Sequence, residues 1–185
     1  SGTTVLLDSD LSLSGKSFEP IGNSESNYFL GVFDGQGHVI SNLEMNSSSQ
    51  YVGLFGYSLG LVIRNVILDS SCLITSSYSG SGFACVGGII GYCYAEKGPC
   101  TIENSVNMGS VSFTGDISYS LYLGGIAGCF YSSSSYDSTV KNCANYGDVT
   151  HFGVSRDSYI GGIVGYSSSS SSSKRVYIYN FLNYG

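Results

Sequence analysis

The sequence predicts an all-β protein: a right-handed parallel β-helix (β-solenoid) of about five to six coils, with surface arms and negligible helix. Three observations carry that expectation. A glycine signature returns at a fixed step, since Val86-Gly87-Gly88-Ile89-Ile90-Gly91-Tyr92 recurs as Leu123-Gly124-Gly125-Ile126-Ala127-Gly128-Cys129 and as Ile160-Gly161-Gly162-Ile163-Val164-Gly165-Tyr166, 37 residues apart each time (124 − 87 and 161 − 124). Asparagines follow at a matching step: Asn104, Asn142 and Asn180 are spaced by 38 and 38, as are Asn107, Asn145 and Asn183. Within each repeat, apolar residues alternate at period 2 over short runs broken by Gly, Asn and Ser, and no stretch carries the i, i+3, i+4, i+7 pattern of a helix.

The chain reads as a single domain, 1–185. Residues 1–27 are expected to form an N-terminal coil or cap, and five repeat units tile 28–185. The first two units are short. Phe29-Leu30-Gly31-Val32-Phe33 leads to Val39-Ile40-Ser41-Asn42-Leu43, and Tyr51-Val52-Gly53-Leu54-Phe55-Gly56-Tyr57 leads to Ile63-Arg64-Asn65-Val66. The later three add variable arms, Cys93–Pro99, Tyr131–Ser138 and Ser167–Lys174, at one place in the unit and so on one side of the solenoid. Gly53, Gly56, Gly88, Gly91, Gly125, Gly128, Gly162 and Gly165 are read as scaffold, allowing bends and coil packing that a Cβ would block. Asn42, Asn65, Asn104, Asn142 and Asn180 are read as corner residues that tolerate left-handed backbone. With Asn107, Asn145 and Asn183, their amides can hydrogen-bond from coil to coil.

Composition narrows the function. The chain has 185 residues, with 7 Lys+Arg against 13 Asp+Glu and a formal net charge of −6. No basic stripe exists to displace counterions from a phosphate backbone, so nucleic acid is not an expected partner. Membrane insertion is not expected either, because no apolar run approaches the ~20 residues of a spanning helix. A start at Ser1 rather than Met, and an end at Asn183-Tyr184-Gly185 that matches mid-unit Asn145-Tyr146-Gly147, indicate a segment of a longer protein or an assembly completed by another chain's strand. Thr3-Thr4-Val5-Leu6-Leu7 of a neighbour is one donor for such end-to-end association.

The runs Pro20-Ile21-Gly22, Phe33-Asp34-Gly35-Gln36-Gly37-His38-Val39-Ile40-Ser41-Asn42-Leu43 and Tyr51-Val52-Gly53-Leu54-Phe55-Gly56 resemble the Gly-Leu-aliphatic-Gly (GLUG) repeat region. This region occurs in bacterial adhesins, in protist surface proteins and in the non-catalytic part of IgA-cleaving metallopeptidases. The resemblance spans about the whole chain. It implies a right-handed β-helix, extracellular or cell-surface placement, and a stalk, adhesive or spacer role. Six cysteines and serine-rich arms depart from the pattern.

Those cysteines are Cys72, Cys85, Cys93, Cys100, Cys129 and Cys143, an even number without a Cys-x-x-Cys. The unit alignment pairs Cys93 with Cys100, Cys129 with Cys143, and Cys72 with Cys85, each clipping the base of an excursion; other pairings and buried thiols remain open. Any disulfide implies an oxidising compartment. Asn46-Ser47-Ser48 is the one glycosylation sequon. The serine runs read as solvated loops or as O-glycosylated segments.

No catalytic, cofactor or metal residue is assigned. Ser58 sits in a Gly-x-Ser-x-Gly pattern without the helix a nucleophile elbow needs. His38 and His151 lie in scaffold-like positions. Asp8, Asp10 and Asp34 lack the neighbouring aspartates, Gly-His-Gly and Arg-x-Lys of pectin hydrolases. Tyr94, Tyr131 and Tyr136 are candidate contacts for a sugar or protein ligand, or else strand formers on a wet face. The function expected is therefore a non-enzymatic stalk, adhesin or fibre-forming module, with a carbohydrate-binding or pectinase-like β-helix as the alternative.

Overall fold

The computed structural model describes residues 3–185, so Ser1 and Gly2 of the expected cap lie outside the described residues. The chain is a parallel β-solenoid without helix among those residues. Apolar side chains at alternate strand positions face one interior, and each coil lays its backbone hydrogen bonds on the next. Three sheets result. One contains Tyr51–Val52, Ala84–Gly87, Ser120–Gly124 and Asp157–Gly161; another contains Glu44–Ser47, Leu73–Ser76, Ser110–Phe113 and Val149–His151; the remaining 13 strands form the third. Register is continuous through all coils in one interior column, Val5, Phe33, Ile63, Ile102, Val140 and Ile178. Phe33, Ile63, Ile102 and Val140 are buried there, while Val5 at the first coil is exposed.

About four turns are complete on all three sheets, fewer than the five to six expected, and the first and last positions of that column belong to incomplete coils. The two short units differ in phase from the repeat alignment. Gly31 pairs with Leu61, not Gly53, and Asp34 pairs with Arg64. One early coil therefore takes 30 residues (63 − 33), not the 22 that separate Gly31 from Gly53. Burial decides this phase, because Phe29 and Phe33 both pack on Phe55, with centroids 5.0 and 5.3 Å away. Beneath Phe55 lies Ile21, with Pro20-Ile21-Gly22 forming a short lower layer.

Asn42 shifts with this correction. Asn65, Asn104, Asn142 and Asn180 form one corner column, where the second coil supplies Gly35, whereas Asn42 lies beyond the Ile40–Leu68 pair at a different corner. All five asparagines have positive φ, between 51° and 56°. Asn142 Nδ2 donates to Asn104 Oδ1 at 3.0 Å, and Asn180 Nδ2 to Asn142 Oδ1 at 3.2 Å. Asn65 instead donates to Asp34 Oδ1 at 2.9 Å.

The cysteine pairing also differs from expectation. Cys93 and Cys100 are joined, but Cys129 bonds to Cys85 rather than Cys143, and Cys72 and Cys143 are buried thiols. Cys143 points into the core, where its Sγ donates to the Lys141 carbonyl, and so faces away from Cys129. The serine arm is more ordered than a solvated loop. Ser167, Ser168 and Ser169 pair with Phe130, Tyr131 and Ser132, and Ser169 Oγ closes the following turn on the Lys174 carbonyl at 2.7 Å. Asn46, the sequon residue, is exposed on Glu44–Ser47 between the buried Met45 and Ser47.

Candidate functional site: an external tyrosine cleft

Each later repeat turns sharply at its Gly-Gly pair, and the strands on either side of that bend approach each other on the outside of the solenoid. The third glycine permits the approach: a Cβ on Gly91 would lie 2.6 Å from the Val52 nitrogen and 2.9 Å from the Cys85 oxygen. The in–out alternation slips at the same residue. Ile89 and Ile90 both face the core, Gly91 is skipped in the ladder, and Tyr92 points outward. Leu54-Phe55-Gly56-Tyr57 and Ile126-Ala127-Gly128-Cys129 repeat this slip.

Outward side chains of the two sheets therefore meet in a second cluster, separate from the core and made largely of tyrosine. Tyr51, Tyr57, Leu59, Cys85 and Cys129 are its buried members, with Tyr92, Tyr94, Tyr122, Tyr131 and Tyr166 packed against them. Contacts run along the solenoid axis. Tyr57 stacks on Tyr92 at 4.9 Å and 9°, Tyr92 lies 5.4 Å from Tyr131, and Tyr131 lies 5.6 Å from Tyr166. Across the cleft, Tyr51 meets Tyr57 at 4.9 Å and Tyr122 meets Tyr166 at 4.8 Å. The Cys85–Cys129 disulfide ties the walls together in the midst of these rings.

Burial keeps the phenols protonated. Tyr51 is pushed up to about 12, first by desolvation and then by the charge of Glu25, and Tyr57, Tyr92 and Tyr131 are raised further, also mainly by desolvation. The rings spend their faces on one another, so the cleft presents ring edges and hydroxyls more than open platforms.

Of the three tyrosines singled out from sequence, Tyr131 lies within this row, Tyr94 at its N-terminal end, and Tyr136 apart from it in an exposed turn. Sequence reasoning missed Tyr57, Tyr92 and Tyr166 as one surface, although each follows the same repeat glycine. The other candidates are held in the scaffold. Asp34 accepts from the Gln36 amide at 2.9 Å, Asn65 Nδ2 at 2.9 Å and Arg64 Nε at 2.8 Å, and these bonds, Asn65 first, lower its pKa. Asp10 accepts from the Val39 amide at 2.9 Å and faces His38 at 3.3 Å. Ser58 Oγ donates to the Phe29 carbonyl at 2.8 Å, and the His151 ring packs on Phe113. Among the described residues, no group of three His, Cys, Asp or Glu side chains could hold a metal ion.

No family model matches the chain, and no curated protein matches it. Among solved structures, "a putative immunoglobulin A1 protease from Bacteroides ovatus" is similar, with a TM-score of 0.61 and 23% identity over 100% of this chain. What is shared is the fold. This chain spans 60% of that protein's length.

Proposed function

We propose that this chain is a non-enzymatic extracellular β-solenoid module, serving as a stalk, adhesin or fibre-forming segment of a surface protein. The observation that carries the reading is the external tyrosine cleft, a continuous aromatic row displayed along a stacked scaffold in which Asp34, Asp10 and Ser58 are engaged in holding coils together. Two disulfides support an oxidising compartment. The fold shared with a putative immunoglobulin A1 protease agrees with the GLUG resemblance.

Arrays of matrix proteins and host glycans, together with sedimentation over a range of concentrations, test the proposal. Saturable binding that is lost on altering the cleft, or concentration-dependent end-to-end oligomers, is the expected result. Turnover of pectin or alginate that Asp8→Asn or Asp34→Asn abolishes would replace the proposal with the carbohydrate-active alternative.

A further inference from the structure

The tyrosine row ends, toward the N-terminus, in a depression of about 360 Å³ lined by Glu25, Tyr57, Leu59, Tyr92, Tyr94 and Glu96. Its size falls toward the lower end of the roughly 300–1,000 Å³ of small-molecule sites. Its floor is apolar and buried, with Leu59 8% and Tyr57 4% exposed. Glu25 and Glu96 stand exposed at the rim, and among the described residues neither carboxylate makes an ion pair or a side-chain hydrogen bond. Lys97, next to Glu96, donates from Nζ to the Tyr28 hydroxyl at 2.6 Å and sits 4.6 Å from that ring's centroid; that bond first, and the Glu96 charge less, raise its pKa. Tyr94, half-buried, packs against the cluster and lines the depression beside Tyr92. Both carboxylates act on the same space, since both add to the upward shift of the Tyr57 phenol.

The lining is held in place. The Cys93–Cys100 disulfide closes the loop that carries Tyr94 and Glu96, and the Lys97 amide donates to the Leu59 carbonyl at 2.7 Å. Opposite, Asn23–Asn27 forms a turn closed by backbone and side-chain hydrogen bonds, which presents Glu25. Aromatic rings and two carboxylates that make no ion pair, set around an apolar floor, complement one ligand chemistry. An alkylammonium cation places its positive charge against the carboxylates and phenol oxygens, and its methyl or methylene groups on the floor and the Tyr94 ring. A neutral sugar would leave the charges unused, and an anion would be repelled by them and by the net charge of −6.

We infer that this depression is a binding site for an organic ammonium group, either a quaternary ammonium headgroup or a lysine side chain of a partner. The inference goes beyond the stalk or adhesive reading and does not depend on it, because binding of the isolated cation is measured without any adhesion partner.

Titrating the isotopically labelled full chain with choline, with N-acetyl-lysine methylamide and with 3,3-dimethylbutan-1-ol, the uncharged isostere of choline, tests it by nuclear magnetic resonance. Saturable shifts centred on Tyr92, Tyr94 and Glu96 are expected with at least one cation, and affinity for the isostere should be about tenfold or more weaker. Preference for choline identifies a headgroup ligand, and preference for the lysine amide a protein ligand. The double variant Glu25→Gln with Glu96→Gln, exposed positions that leave the fold intact by circular dichroism, should weaken the cation about tenfold and leave the isostere unchanged. Absence of saturation with both cations, equal binding of the isostere, or full affinity in the double variant would each overturn the inference.

Discussion

Asn107 Nδ2 lies 2.9 Å from Asn145 Oδ1, 38 residues later in sequence, and both carboxamides are fully buried. Asn145 in turn donates to Asn183 Oδ1 at 3.1 Å and to the Gly147 carbonyl at 2.8 Å. A buried polar column of this kind is stable only while every member is satisfied.

Asn145→Ala removes the acceptor of Asn107 and the donor to Gly147 inside the stack. A loss of about 3 kcal/mol is expected, from one or two buried groups left unpaired. Asn183→Ala, at the exposed end of the same column, should cost under ~1 kcal/mol because water replaces the lost partner. Denaturant unfolding of the two variants measures the difference, and equal losses would mean that the column is not the source.

Gly125→Ala is expected to be among the most damaging single changes. Its methyl would meet the Gly162 carbonyl and the Asn145 carboxamide, both fixed by neighbouring coils. The strain should exceed ~2 kcal/mol, as for overpacking in a rigid core. Gly15 is the control: it has φ of +69° with nothing within 4 Å of an added Cβ. Gly15→Ala should then carry only the ~1 kcal/mol of left-handed backbone. Thermal melts of both proteins decide.

Peptide mapping under non-reducing conditions should recover Cys85 linked to Cys129 and Cys93 linked to Cys100, with Cys72 and Cys143 free. Burial pushes the Cys143 thiol up to about 11, so alkylation near neutral pH should be slow in the native state and rapid after unfolding. Cys85→Ala with Cys129→Ala opens a 44-residue link between coils and should cost about 2–5 kcal/mol. Recovery of a Cys129–Cys143 peptide would contradict the description of the cleft.

Alkaline pH should destabilise the protein through its tyrosines. The folded state keeps the proton on Tyr51 up to about 12, while the unfolded chain releases it near the ordinary tyrosine value of 10.0. The native state therefore binds more protons in that window, and stability that is complete below it falls as pH rises through it. Tyr57, Tyr92 and Tyr131 add in the same direction. Urea midpoints should drop steeply from pH 10 to 12, with part of the phenolate absorbance appearing only on unfolding; a flat profile would contradict the burial of these rings.

The parallel stacking was legible in particular residues. Repeating Gly-Gly pairs, period-2 apolar runs and the Asn104-Asn142-Asn180 series determine that equivalent segments lie over one another, because only that arrangement buries the same alternate side chains in every coil. The phase of the first two units was not legible. Phe29–Phe33 and Tyr51–Phe55 share a local pattern, and only burial of Phe29 and Phe33 on Phe55 separates them.

By itself, then, the amino-acid order determined a β-solenoid with glycine bends and asparagine columns, all of which follow from local backbone preference and a short repeat. Tertiary structure decided the cleft and the cysteine partners. A slip of one residue at Gly56, Gly91 and Gly128 turns the next side chain from core to exterior, and the angle between two sheets brings Cys85 to Cys129 and Tyr122 to Tyr166. Those contacts cross between walls 44 residues apart in the chain, so their energy depends on the bend and has no signature in any local stretch.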